Sequence, residues 1–258
     1  DLARAICDVR TGVGADGILY LSKSSRADRR IDVFNADGSW AEKSGNGLRI
    51  AAVALSHNRK GKKEFLFEIG GSLDRVRLED SIPGGFMVRA ELGKPDFRAA
   101  RVPVRTKLKH LINVPVRFGA GRFEVTCLSV GNPHLVIAVD SFDFDWKGTG
   151  RQLEHDRLFP HGTNVEFVKA VNRHKVRVDD WERGAGATGS SGTGAAAAVC
   201  AMVMLGRVER TCEVQFETGS LFVRWRADDD IIELSGPVAH IISGSFEYFS
   251  RVNRLRAR

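Results

Sequence analysis

The sequence predicts an α+β fold of two pseudo-symmetric halves, each a mixed sheet or barrel wrapped around a central apolar helix, and three observations carry that prediction. A short design occurs twice, as SGNGLRIAAVAL from Ser44 to Leu55 and as SGTGAAAAVCAMVML from Ser191 to Leu205. Each copy is nearly all apolar after its opening Ser-Gly-x-Gly, so each should be a helix buried on every side. Around both copies run segments of alternating apolar and polar residues broken by Gly and Pro, the signature of strands.

In chain order, LARAICDVRTGVGADG reads as a helix running into a glycine turn. GILYL and IDVFN read as strands before the first helix, and EFLFEI, DRVRLE and GFMVRAEL as strands after it. The segment GKPDFRAARVP, from Gly93 to Pro103, has turn residues and weak periodicity, and places the boundary between halves at residues 97 and 98. HLVIAVD, NVEFVKAV and KVRVDDW precede the second helix as strands, while CEVQFET, SLFVRWRAD and IIELSG follow it. The second half thus runs from residue 98 to 241.

Composition narrows the function classes. A chain of 258 residues with 43% hydrophobic content can bury a sizeable core. No run approaches the roughly 18 apolar residues of a membrane span, and no secretory signal is recognisable, so a cytoplasmic address follows by default. The formal charge of +7 is spread over a chain that is 28% charged, without any nucleic-acid module, and reads as a solvated surface. Cys7, Cys127, Cys200 and Cys212 are scattered without metal-ligand spacing and read as reduced, mostly buried thiols, so neither zinc nor a disulfide framework is expected.

The chemistry-bearing residues cluster around the two repeats. A glycine-rich turn feeding a helix start presents free backbone N–H groups and the positive end of the helix dipole, which suits a carboxylate or phosphate. A serine before a helix is also an ordinary N-cap, worth about 1 kcal/mol. Two copies in matching halves point beyond capping, to two helix starts facing one cleft. Asn35, Asn46 and Asn164 bring amides that both donate and accept, though each is also a common turn former. GNPH, from Gly131 to His134, marks a shaped turn before a strand, and Glu182-Arg183 follows Trp181 at a strand end. Histidine and glutamate can move protons near neutral pH, and arginine can grip a carboxylate through two parallel bonds.

Taken together, FNADGSWAEKSGNGLR, SVGNPHLVIAV, NVEFV, VNRHKVRV and WERGAGATGSSGTGA resemble the diaminopimelate epimerase family in order and spacing, from Gly12 to Ile241. The resemblance implies two domains with substrate held between their helix starts. It also implies that a glycine-rich first strand precedes Asp1, that a final strand within 242–258 packs back on the first half, and that the protein forms a homodimer. The implied activity is epimerisation of an amino acid without pyridoxal phosphate or any other cofactor. One cysteine thiolate removes the α-proton and the other cysteine's thiol donates from the opposite face, as inversion by two bases requires.

Carried over by the resemblance, the two cysteine positions fall on Ser44 and Ser191, and the assisting histidine and glutamate on His134 and Glu182. The substrate-gripping positions fall on Asn35, Gly45, Asn46, Asn132, Asn164, Arg183, Gly192 and Thr193. The departures matter, because a serine hydroxyl is a far weaker acid than a thiol and reacts only when an adjacent base activates it. Ala187 also replaces the glutamate usual in the family's GAGET segment. Three readings follow. The first is a diaminopimelate epimerase, run by serines that His134 and Glu182 activate or disabled by them. The second is another isomerase on the same scaffold, of the phenazine-pathway or methylaconitate type, with His134 or Glu182 as base. The third is an amino-acid-binding protein without turnover.

Overall fold

The computed structural model describes residues 1–57, 61–119 and 121–248. The first half contains α1 (Leu2–Cys7), β1 (Gly17–Ser22), β2 (Arg29–Asn35), β3 (Trp40–Ala41), α2 (Gly45–Ser56), β4 (Glu64–Ile69), β5 (Ser72–Ile82) and β6 (Gly85–Glu91). The second contains β7 (Val114–Phe118), β8 (Gly121–Ser129), β9 (Pro133–Ala138), α3 (Trp146–Glu154), β10 (Asn164–Asn172), β11 (Lys175–Trp181), α4 (Gly192–Met204), β12 (Thr211–Phe216), β13 (Gly219–Trp225) and β14 (Ile232–Ala239). One path of hydrogen-bonded strands runs β1-β2-β4-β5-β6-β14-β13-β12-β11-β10-β9-β8-β7, with β3 paired to β2.

The sequence repeat is a repeat of topology. Parallel neighbours need a crossover connection, and α2 is the crossover between parallel β2 and β4 as α4 is between parallel β11 and β12. Each helix is then followed by an antiparallel meander, β4-β5-β6 or β12-β13-β14. The last of these strands, β14, pairs with β6 from Glu233 opposite Glu91 to Ala239 opposite Gly85, and so stitches the halves together. Residues 97 and 98 fall in the irregular connection between β6 and β7. Of the segment 242–258, residues 242–248 form no strand and 249–258 lie outside the described residues.

Alternation along the strands sets what faces the helices. In β4 the residues Phe65, Phe67 and Ile69 turn inward, and in β13 Leu221, Val223 and Trp225 do. In the first five residues of β9 and of β10 the burial is continuous, because α3 packs on β10 and β11 from the outer side while α4 covers the inner one. The two-residue β3, together with β7, β8 and α3, escaped the sequence reading, their patterns being short or interrupted by Gly. The helix α4 is buried on every side, from Gly192 to Met202. The expectation of all-round burial fails for α2, where Asn46 is part-exposed and Ile50 and Ala54 are exposed, a stripe spaced by one helical turn that no strand covers. All four cysteines are buried free thiols. Among the described residues no helix is long and apolar enough to cross a membrane.

Candidate active site

Both repeated serines cap their helices in the ordinary way. Each has extended backbone, and its Oγ accepts from the amide of the third helical residue, Gly47 N at 3.0 Å from Ser44 and Gly194 N at 3.2 Å from Ser191. The glycines that follow explain why the motif needs Gly rather than another small residue. A Cβ built on Gly192 would lie 2.9 Å from Gly45 Cα and 3.0 Å from Asn46 N, and one on Gly45 would lie 3.1 Å from Gly192 Cα. The two helix starts therefore touch backbone to backbone, and two positive dipole ends converge on one point. Gly192→Ala is expected to cost about 1–3 kcal/mol by overpacking and to push the two starts apart. Urea unfolding together with amino-acid binding would check this, and an alanine tolerated in both would mean the close approach is not required.

Between the halves lies a cavity of about 310 Å³. Its walls include Asn35, Ser44, Gly45, Asn46, Asn132, Asn164, Glu182, Arg183, Ser191, Gly192 and Thr193, with Ile18, Leu19, Val33, Phe34 and Ile50 as an apolar side. None of the four cysteines lines it. Burial raises all four thiols, Cys127 to about 12 and Cys212 to about 11. No cysteine thus stands in for the serines.

The amides are held in fixed orientations by the protein itself. Asn46 Nδ2 donates to Ser190 O across the halves at 2.9 Å, while its Oδ1 accepts from Arg49. Asn132 Nδ2 donates to Thr193 Oγ1 at 3.2 Å. Asn164 is committed at both ends, donating to Pro133 O at 2.8 Å and accepting from Arg183 N at 2.9 Å, so it shapes the cleft by clasping two loops. Asn35 Nδ2 bonds Ser39 Oγ at 3.0 Å and steadies the turn before β3. Arg183 reaches across the cleft to Glu42 of the first half and also donates to His161 O at 3.3 Å.

The two serines are not equivalent. Ser191 is 1% exposed and donates to Glu182 Oε2 at 2.9 Å, the arrangement of a hydroxyl and its base. Glu182 Oε1 also accepts from Thr188 Oγ1. Burial pushes the Glu182 carboxyl above the usual range against these two bonds, which pull it down. Ser44 has no carboxylate or imidazole bonded to it among the described residues. His134 is fully buried, is absent from the cavity wall and is bonded to Glu166 and Asn132 rather than to either serine hydroxyl. Its Nε2 donates to Asn132 Oδ1 at 2.9 Å and its Nδ1 shares a hydrogen with Glu166 Oε1 at 2.6 Å. The imidazole thus holds the Asn132 amide from behind, in the chain Glu166–His134–Asn132–Thr193.

Sequence reasoning passed over Lys43, Thr188, Glu166 and Asp180. Period-two reading carries the signal for the last two: Val176, Val178 and Asp180 share the inner face of β11, as Glu166 and Val168 share that of β10, so a carboxylate stands where a core residue is due. Asp180 is pushed up to about 8, chiefly by burial and then by the nearby Glu182 and Glu166 carboxyls. A carboxyl whose pKa is higher folded than unfolded holds its proton more tightly when folded. The stability it adds is complete below about pH 4 and is lost as pH rises toward about 8. Asp180→Asn, which keeps the shape but cannot ionise, is expected to flatten that decline in urea midpoints; an unchanged slope would show that Asp180 carries no such proton.

Comparison with known proteins agrees with the geometry. Residues 1–96 and 126–241 match the diaminopimelate epimerase family. The chain is 38% identical over 252 residues to the diaminopimelate epimerase of Carboxydothermus hydrogenoformans, covering 96% of this chain and 89% of that protein. It is 35% identical to the chloroplastic diaminopimelate epimerase of Oryza sativa subsp. japonica, over 94% of this chain and 71% of that one. Among solved structures, a hydroxyproline epimerase from Agrobacterium vitis has the same fold, with a TM-score of 0.70 at 15% identity over 92% of this chain and 78% of that one. A methylitaconate-delta-isomerase is similar at a TM-score of 0.56 and 12% identity, over 96% and 90%. With two matched helix starts, a shared cavity and this extent of sequence identity, the chain belongs to the diaminopimelate epimerase family.

Proposed function

We propose that this chain acts on diaminopimelate, inverting one α-carbon by proton transfer between two faces without a cofactor, and that it does so in the cytoplasm. The observation that carries the reading is the placement of one hydroxyl at each of two helix starts that meet in a single cavity. Substrate carboxylate bound at those starts would meet free N–H groups and two positive dipole ends, which also stabilise the charge that grows as the α-proton leaves. A diamino diacid has a second carboxylate and ammonium, for which Arg183 and its partner Glu42 offer complementary charge at the cleft.

On the Ser191 face the step balances within the site. Ser191 Oγ takes the α-proton as its own hydrogen passes to Glu182 Oε2, and in the reverse direction Glu182 returns it. On the Ser44 face the hydroxyl is supported, among the described residues, by the Gly47 amide and the helix dipole. The expected result is exchange of α-hydrogen on one face that outpaces inversion. Incubation with LL- and meso-diaminopimelate in deuterated water, followed by NMR, measures both. Absence of exchange in this chain and also in its Ser44→Cys, Ser191→Cys form would overturn the reading, and a broad amino-acid binding screen would then take its place.

A further inference from the structure

Behind the Ser191 loop lies a second cavity of about 210 Å³, walled by Trp146, Lys147, Asp179, Asp180, Thr188 and Glu217 among others. Thr188 is in the wall of both cavities and so stands where they come near each other. Its hydroxyl touches Glu182 Oε1 on one side and Asp180 Oδ2 at 3.1 Å on the other. One hydroxyl hydrogen cannot serve two ionised carboxylates, so both contacts are satisfied only if one of the two carboxyls carries a proton. Asp180 is 2% exposed, and its other oxygen, Oδ1, has no hydrogen-bond partner among the described residues. Directly opposite it in the β10–β11 register is Glu166, whose Oε2 is likewise buried without a partner.

We propose that Asp180 and Thr188 form a proton relay between Glu182 and the second cavity, resetting the Ser191 base from behind while substrate fills the cleft. The inference rests on reading Ser191 and Glu182 as an acid/base pair. Each transfer is a hop of hydrogens along existing contacts. Protonated Glu182 gives its hydrogen to Thr188 Oγ1, whose own hydrogen moves to Asp180 Oδ2, and Asp180 releases a proton to water in the second cavity. The reverse sequence recharges Glu182, and no oxidant or other reactant is needed. Asp180 and Thr188 are thereby positioning residues that act on the reaction only through Glu182 and Ser191.

The surroundings favour a mobile proton over a fixed charge. Asp180 faces Glu166 from β10, with His134 of β9 behind it, while Asp179 and Glu182 flank it along its own chain. Lys147 of α3 and Glu217 of the β12–β13 turn line the same cavity, and Lys147 is its one cation among the described residues. Several carboxyls so close cannot all be ionised, and the protons they retain belong to the group rather than to one member.

The test compares the intact protein with Asp180→Asn, Thr188→Val and Thr188→Ser in two measurements. Infrared titration of the protonated-carboxyl band, from about pH 4 to about pH 10, is expected to lose one near-neutral component in Asp180→Asn. A band unchanged by that substitution would overturn the relay whatever the catalytic result. The pH profile of α-hydrogen exchange is then measured on the chain itself and in the Ser44→Cys, Ser191→Cys background. Asp180→Asn and Thr188→Val should lower kcat about tenfold or more with KM held and shift the profile, while Thr188→Ser restores both. A profile that stays put, or a serine no better than valine, would also sink the proposal. If neither background exchanges α-hydrogen, the acid/base pairing of Ser191 with Glu182 is what has failed, and the infrared result alone decides whether Asp180 holds the proton.

Discussion

Replacing Ser44 and Ser191 together by cysteine is expected to raise the rate of diaminopimelate α-hydrogen exchange by about 10²- to 10⁴-fold, the range that a well-matched acid or base contributes. The unperturbed thiol titrates near 8.5 and falls further at a helix N-terminus, so each face would gain a group that can hold or give a proton near neutral pH. The scaffold for that change is in place, since both side chains already sit at N-caps with their helix amides turned toward them. The single variants separate the two faces. Cysteine at 191 alone should speed exchange of one stereoisomer with little inversion, because Ser44 has no base bonded to it among the described residues, whereas the double variant should exchange and invert together. NMR in deuterated water with each stereoisomer measures all four proteins. A double variant no faster than the parent would remove Ser44 and Ser191 from the reaction.

Lys43→Met is expected to destabilise the fold by about 3–5 kcal/mol, the cost of breaking a buried ion pair from one side. Lys43 Nζ lies 2.8 Å from Asp74 Oδ1 and also donates to Leu92 O at 2.8 Å, with both charged side chains about 95% buried. Methionine fills a similar volume but leaves the Asp74 carboxylate without its cation. The double replacement Lys43→Met, Asp74→Leu should recover much of the loss, because burying neither charge is cheaper than burying one. The effect should reach the site, since Lys43 immediately precedes Ser44 and its stem packs against Gly131 in the loop that carries Asn132. Urea unfolding of the three variants measures this; a single variant within about 1 kcal/mol of the parent would show that the pair is hydrated rather than buried.

The repeated helices, the strands flanking them and part of the cavity wall were legible in the chain because their information is local. A Ser-Gly-x-Gly start, an apolar run and a period of two are each written within a dozen residues, and they lead to Ser44, Ser191 and Asn46, while the resemblance adds Gly192. The weak patterns of β7, β8 and α3 left no comparable local mark. The shaped turn before His134 and the strand end at Glu182 marked both residues and the resemblance gave them an assisting role, but only the fold shows where each sits. Glu182 follows β11 and turns into the cleft beside Ser191, whereas His134 sits one layer back, its two nitrogens taken by Glu166 and Asn132.

What the sequence determined alone was two capped helices in matching halves, since capping and periodicity depend on neighbours along the chain. The tertiary structure decided the rest: that Gly45 meets Gly192, that Arg183 spans to Glu42, and that Glu166 faces Asp180 across a strand pair. Those contacts join residues far apart in the chain. Their chemistry comes from shared burial, which raises the cost of a charge for every group enclosed with it and cannot be read from any one segment.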